Sequence, residues 1–292
     1  MSERREYNRN GEIFADTPWP EQMHRIALAV EYHGANFRGF QIQPGDVPSV
    51  QKSLQRALSV VADEPITLVC AGRTDAGVHA TGQVIHFDTQ ALRPERAWVF
   101  GTRPHLPPGI SIRWAREVSP FFHARFSAQA RTYRYLLSDA STRSGLLHDQ
   151  VTWVRRPLNV DKMREAAQWL VGEHDFTSYR ATQCQAKSPV RTIHHLHLLR
   201  CGELIILEVQ ANAFLHHMVR NIVGVLLQIG GGTKAPEWAA QVLAARDRQR
   251  GAETAPPDGL YLVAVNYPEQ FALPVLAPGP LYLTDPVGGL GV

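Results

Sequence analysis

The stretch Ile66-Thr-Leu-Val-Cys70-Ala-Gly72-Arg73-Thr74-Asp75-Ala-Gly77-Val-His79-Ala-Thr-Gly82-Gln-Val-Ile-His86-Phe87 decides how the chain is read. An apolar run, Ile66 to Cys70, enters a loop with three glycines, and an alternating run, Val84 to Phe87, leaves it, the pattern of strand, loop and strand. Glycines at 72, 77 and 82 admit backbone angles and close approaches that a side chain forbids. The loop is therefore expected to display Asp75, with Arg73 beside it, at the end of a sheet. Taken alone, an aspartate in such a loop fits a turn cap as readily as a nucleophile.

Before this stretch, residues 25–32 read as a strand, followed by a glycine-bounded loop from Tyr32 to Gly39. Ser49 is placed to cap a helix whose apolar positions 50, 54, 57, 58 and 61 share one face. After it, Pro94 suits the first turn of a helix reaching about Thr102, and Ile110, Ile112 and Trp114 alternate as a strand does. The first half thus reads β-α-β-β-α-β. The second half has the same order: a strand over 131–138, a helical face at Met163, Ala167, Leu170 and Val171, and a hairpin over 190–200 and 204–210. A helix over 214–229, apolar nearly all round and hence buried, a surface helix after Pro236 and a strand over 260–265 complete it.

The fold class expected is α/β (α+β), two ferredoxin-like split β-α-β-β-α-β halves. The expected division is a disordered N-terminal tail over 1–22, an N-terminal domain over 23–118 that carries Asp75, a C-terminal domain over 119–270 and a C-terminal tail over 271–292.

Composition narrows the function classes. The 292 residues are 44% hydrophobic and 20% charged, enough for a buried core and two domains. The longest apolar run, 222–229, is far short of the roughly 20 residues of a membrane span. The N-terminus lacks the apolar core of a secretory signal, so a cytoplasmic protein with no membrane partner is expected. Cys70, Cys184 and Cys201 have neither disulfide parity nor zinc-site spacing. Net charge is only +3, yet residues 113–156 hold eight arginines against three acids, with Phe and Tyr between them. Such a stretch fits a phosphate-binding surface, and equally a solvated arginine-rich face. Asp75, His79, His86 and Asp88 match no metal signature, and His216 with His217, adjacent on a helix, would point apart. No metal or other cofactor is expected.

The loop from Gly72 to Phe87 resembles the catalytic loop of the tRNA pseudouridine synthase A family. The resemblance also rests on Tyr32-His-Gly34 with Gly39-Phe-Gln41, Phe122-His123-Ala124-Arg125-Phe126, Arg131-Thr-Tyr133-Arg-Tyr135, Asp175-Phe-Thr-Ser178, the run from Asn212 to Asn221, and Gly259-Leu-Tyr-Leu-Val263. These follow the family's order over roughly residues 25–268. The resemblance implies one mixed sheet with the active site in a cleft between the halves, a homodimer, and a tRNA partner. It implies that Asp75 is the nucleophile, that Arg220 is the guanidinium set against it, and that Tyr133 stacks on the target uracil. Spacing alone leaves Tyr133 and Tyr135 equivalent. Leu260 matches an apolar wall of the uracil pocket. Arg73, Arg93, Phe122, His123, Ala124, Arg125, Phe126, Gln183, Cys184, Gln185, Ala186 and Lys187 match RNA contacts. Phe40 stands where the family often has tryptophan, His33 where it often has aspartate, and Arg103 where it commonly has asparagine, which puts loop contacts in question rather than the reaction.

Pseudouridine formation breaks a C–N glycosidic bond and makes a C–C bond between the same sugar and C5 of the same uracil. It is redox-neutral and needs a nucleophile, and an aspartate can add to C6 of the base or assist at the anomeric carbon. The expected function is therefore tRNA isomerisation of uridine in the anticodon stem-loop, at positions 38 to 40. Alternatives are the same chemistry on another RNA, a non-catalytic RNA-binding module, and a metal-dependent hydrolase built on Asp75 and the histidines.

Overall fold

The computed structural model describes residues 3–7, 13–18 and 20–283. The chain forms two compact units. One runs up to Gln129 and takes back Ala264–Pro278; the other runs from Ala130 to Val263 and resumes at Gly279.

The first unit contains β1 (Glu3–Tyr7), β2 (Ile13–Pro18), β3 (His24–Tyr32), α1 (Val50–Ala62), β4 (Leu68–Cys70), β5 (His79–Thr89) and β6 (Ile110–Val118). β1 pairs antiparallel with β2, Glu3 opposite Pro18, so the tail expected over 1–22 is corrected there. Its sequence shows no apolar alternation, and the strand character comes from backbone pairing across the connection. β3 lies between β5 and β6, antiparallel to both, and β4 pairs antiparallel with β5. With β3, β4, β5 and β6 counted first to fourth, the order is 4-1-3-2, that of a split β-α-β-β-α-β unit. α1 begins where the sequence places it: Ser49 is extended, and its hydroxyl accepts the Lys52 amide at 3.3 Å. Ile26 to Val30 are all buried, so β3 is covered on both faces.

The helix expected from Pro94 to Thr102 is instead one wide π turn, Ala97–Gly101. Trp98 is buried edge-on against Phe87, and the Thr102 hydroxyl donates to the Trp98 carbonyl at 2.8 Å. That side-chain bond competes with the regular ladder.

The second unit contains β7 (Ala130–Ser138), β8 (Thr152–Trp153), α2 (Val160–Gln168), β9 (Gly172–Asp175), β10 (Val190–Cys201), β11 (Leu204–Ala211), α3 (Met218–Gly230), α4 (Trp238–Ala245) and the first four residues of β12 (Leu260–Asn266), whose last three are counted with the first unit. The strand order β12-β7-β11-β10 is again 4-1-3-2, with β9 outside β10 and the short β8 parallel to β7. α3 starts four residues later than the apolar pattern predicts. His217 takes a left-handed backbone, φ 60°, and the Met218 amide donates to the Leu215 carbonyl at 3.0 Å. The His216 and His217 rings consequently stand 4.0 Å apart, not on diverging directions of a helix.

The domain limits differ from those expected. Residues 119–129 belong with the first unit because Phe122 and Ala124 enter its core with Ala27, Ala71 and Val84. Residues 264–278 join them through Val265, Tyr267, Phe271 and Leu273, part of which had been assigned to a tail. Leu283 is buried with Leu136, Ile206, Tyr261 and Val263, and residues 284–292 of the expected tail lie outside those described.

Candidate active site

Asp75 sits half-buried in the loop between β4 and β5. The backbone of this loop is held from several sides. The Ala71 amide donates to the Val84 carbonyl at 2.8 Å, and the Phe40 amide donates to the Thr74 carbonyl at 3.0 Å. The Thr74 hydroxyl meets the Tyr32 hydroxyl at 2.7 Å in a buried site. Gln83 clamps Gly72 from both ends of its amide, donating to the carbonyl at 2.5 Å and accepting the N–H at 3.4 Å. The Val78 amide closes a turn on the Asp75 carbonyl at 3.2 Å.

Two glycines let a second chain segment lie against this loop. A methyl group on Gly34 would fall 2.0 Å from the Val78 carbonyl oxygen. Gly39 has φ +96°, and a methyl there would fall 2.9 Å from the Thr74 carbonyl oxygen. The Gly34 amide also donates to His79 Nδ1 at 3.0 Å. The supports Tyr32, Gln83 and His79 were not singled out as functional from the sequence. The signal was present in Tyr32-His-Gly34 and Gly39-Phe-Gln41, whose glycines have no reason of their own until the loop they touch is known.

The histidines considered as metal candidates have backbone tasks. His86 Nδ1 accepts the Ala124 amide at 3.1 Å, as His79 Nδ1 accepts that of Gly34. Asp88 binds buried Arg25 through both oxygens, at 2.7 and 2.8 Å, and Arg25 also donates to the carbonyls of Pro120 and Phe122, each at 2.7 Å.

In the second unit, β7 presents Tyr133 and Tyr135. Tyr135 is fully buried, its hydroxyl bonded to the Pro256 carbonyl at 2.7 Å and the Thr152 hydroxyl at 2.8 Å, and burial pushes its pKa up. Tyr133 lies edge-on to Phe214, ring centres 5.0 Å apart. Arg220, on the first turn of α3, is half-buried; its Nε donates to the Ala255 carbonyl at 2.7 Å, and its own carbonyl accepts the Ala255 amide at 3.2 Å. Leu260 is buried at the start of β12.

The expected RNA contacts divide by exposure. Arg73, Arg93, Arg125, Gln183, Gln185 and Lys187 are exposed, while Cys184 and Ala186 are partly so. Phe122 and Ala124 are fully buried, Phe122 packing on Tyr267 and Phe271 at 5.0 and 5.2 Å. His123 stacks on Phe126 at 4.3 Å, and its Nδ1 accepts the amides of both Arg125 and Phe126 at 3.1 Å. Burial and the nearby Arg25 and Arg125 charges push its pKa down to about 4.

The arginine-rich stretch is likewise divided. Arg134 is buried and paired with Glu208 at 2.7 Å, Arg113 with Glu31 at 2.8 Å and Arg116 with Glu95 at 3.3 Å. Arg125, Arg143, Arg155 and Arg156 are exposed.

Among the described residues no helix is long and apolar enough to cross a membrane. The family described as tRNA pseudouridine synthase matches residues 28–127 and 166–268. A tRNA pseudouridine synthase A of Pseudomonas aeruginosa is 59% identical over 260 residues, covering 89% of this chain and 91% of that protein. That of Alcanivorax borkumensis is 56% identical over 263 residues, covering 90% and 98%. Similarity this broad defines an RNA-modifying isomerase. The chain belongs to the tRNA pseudouridine synthase family.

Proposed function

We propose that this chain converts uridine to pseudouridine in the anticodon stem-loop of tRNA, at positions 38 to 40, with Asp75 as the nucleophile. The observation that carries the reading is the way the Asp75 loop is fixed. Its backbone is bonded to Phe40, Val84 and Gln83 and packed on Gly34 and Gly39, so the carboxylate is delivered from a rigid frame. Fixed placement of a reacting group is a large part of what an enzyme adds to a reaction. The relatives' names supply the substrate class, and the resemblance supplies the positions.

Asp75 adds to C6 of the uracil or to the anomeric carbon of the ribose. By either route the C1′–N1 bond breaks, the uracil turns, C5 bonds to C1′, the bond to Asp75 breaks and returns the carboxylate (displaced from C1′ by C5, or eliminated from C6), the C5 proton leaves and N1 gains one. Tyr133 stacks on the ring, Leu260 lines one side of its pocket and Arg220 supplies positive charge. Because Tyr135 already bonds Pro256 and Thr152 through its hydroxyl, Tyr133 is the better placed of the two for a base. Arg73, Arg93, Arg125, Gln183, Gln185 and Lys187 bind the RNA backbone and give affinity that falls with salt. The active form is a homodimer in the cytoplasm.

The test is to incubate undermodified tRNA with the parent protein and with Asp75→Asn, in EDTA, and to map pseudouridine chemically. Conversion by the parent and none by a folded Asp75→Asn is expected. Undiminished conversion by Asp75→Asn, or a requirement for added metal, would sink the mechanism. Binding by the parent without conversion would favour an RNA-binding module.

A further inference from the structure

The π turn Ala97–Gly101 is followed by a bend at Thr102 and a 3-10 turn over Arg103–His105, and Trp98 and Thr102 are buried beneath this segment. Arg96, Phe100 and Arg103 are exposed along it. Phe100 is 68% exposed, unusual for a phenylalanine, and two more large apolar side chains, Leu92 at 75% and Val60 at 54%, are also displayed.

Contacts to one residue, Val61, draw these together. Arg93 Nε donates to the Val61 carbonyl at 3.1 Å, and a methyl built on Gly101 would meet Val61 Cγ2 at 3.4 Å. Leu92 and Phe100, each next in sequence to one of those anchors, therefore flank the end of α1 that carries Val60. The cations Arg93, Arg96 and Arg103 are all exposed. Of the nearby acids, Glu95 is bridged to Arg116 at 3.3 Å, and Glu64 accepts from the Thr89 hydroxyl and the Gln90 amide, which leaves Asp63.

We propose that this face is a second RNA-docking surface of the first unit, with Phe100 a stacking platform for an unpaired base and Arg93, Arg96 and Arg103 on the flanking phosphates. Charge complementarity selects the occupant. Three arginines around an exposed aromatic ring match a polyanion whose bases have apolar faces, and an aromatic platform beside cations is how proteins hold unpaired nucleotides. Of these residues only Arg93 is among the RNA contacts expected from the sequence. The proposal rests on the reading that the substrate is RNA, and places part of its affinity away from Asp75's own loop.

The test uses the full chain carrying Asp75→Asn, labelled unmodified tRNA and fluorescence anisotropy over a range of salt, with conversion by the unaltered chain followed separately. Adding Phe100→Ala is expected to raise Kd about tenfold, and Phe100→Trp to restore it. Arg103→Asn is expected to lower the slope of log affinity against log salt by about 0.7 to 0.9. Thermal unfolding and gel filtration accompany each variant. A Kd for folded Phe100→Ala within twofold of its parent would overturn the proposal, and so would equal weakening by Phe100→Trp. Loss of tRNA affinity only in step with dissociation of an oligomer would also overturn it, assigning the face to a second copy of the chain. Failure of the unaltered chain to convert uridine would refute the proposed activity while leaving the binding comparison to be judged alone.

Discussion

Substituting Gly34 and Gly39 tests whether the second segment positions the Asp75 loop. At Gly39 an alanine must hold φ +96°, which costs about 1–3 kcal/mol, offset by about 0.4–1 kcal/mol from a less flexible unfolded chain. Its methyl would lie 2.9 Å from the Thr74 carbonyl oxygen and 3.3 Å from the Asp75 carbonyl carbon, so the strain falls on the nucleophile's own backbone. At Gly34 the methyl would lie 2.0 Å from the Val78 carbonyl oxygen, and one segment must give way by about 1 Å to restore a normal contact. Displacement of that size at a reacting group costs on the order of a hundredfold in rate. Gly145 is the control, with nothing within 4 Å of an added methyl. The assay is pseudouridine formed per minute at saturating tRNA, beside the melting temperature of each variant. Gly34→Ala and Gly39→Ala are expected to lose turnover well beyond any fraction unfolded, while Gly145→Ala keeps the parent's values. Parental turnover in a folded Gly34→Ala would refute the idea that this packing places Asp75.

Removing the buried guanidinium in Arg25→Met should destabilise by about 3–5 kcal/mol, because Asp88 and two carbonyls lose their donor; Asp88→Asn should cost less, and urea unfolding compares them. His123 is held neutral, with a folded pKa of about 4, below the ordinary histidine value of 6.5. Its contribution is present above that ordinary value and is lost as pH falls from about 6.5 toward about 4, where the unfolded chain takes a proton that the folded chain resists. The urea midpoint should therefore drop between pH 7 and pH 5, and His123→Gln should flatten that drop. Tyr135→Phe should cost about 1–2 kcal/mol of stability with conversion kept, whereas Tyr133→Ala should lose conversion while the fold is retained, as parallel melting and modification assays would show.

The elements most legible in the sequence are those whose causes are local. α1 was readable from Ser49 and the apolar face behind it, and the hairpin of β10 and β11 from two apolar runs around Cys201-Gly202. α3 was readable as buried from its composition, but its first turn was not. His216 and His217 are compatible with a helix, and the left-handed backbone that stops it is stabilised by bonds to Leu215 and Ala181. β8 and β9 escaped notice because two or four residues carry too little periodicity to stand out.

For the candidate site, the sequence by itself determined which residue types were present: an aspartate in a glycine-rich loop, a tyrosine on a strand, an arginine within an apolar run. These are chemical identities and need no coordinates. Only the tertiary structure decided their surroundings. It put Phe122 and Ala124 in the core, gave Asp88 to Arg25, gave the imidazoles of His79 and His86 to backbone amides, and laid Gly34 and Gly39 against the Asp75 loop. Each of those facts depends on contacts between residues tens of positions apart, and no pattern within a short window of sequence encodes which distant backbone a glycine will touch.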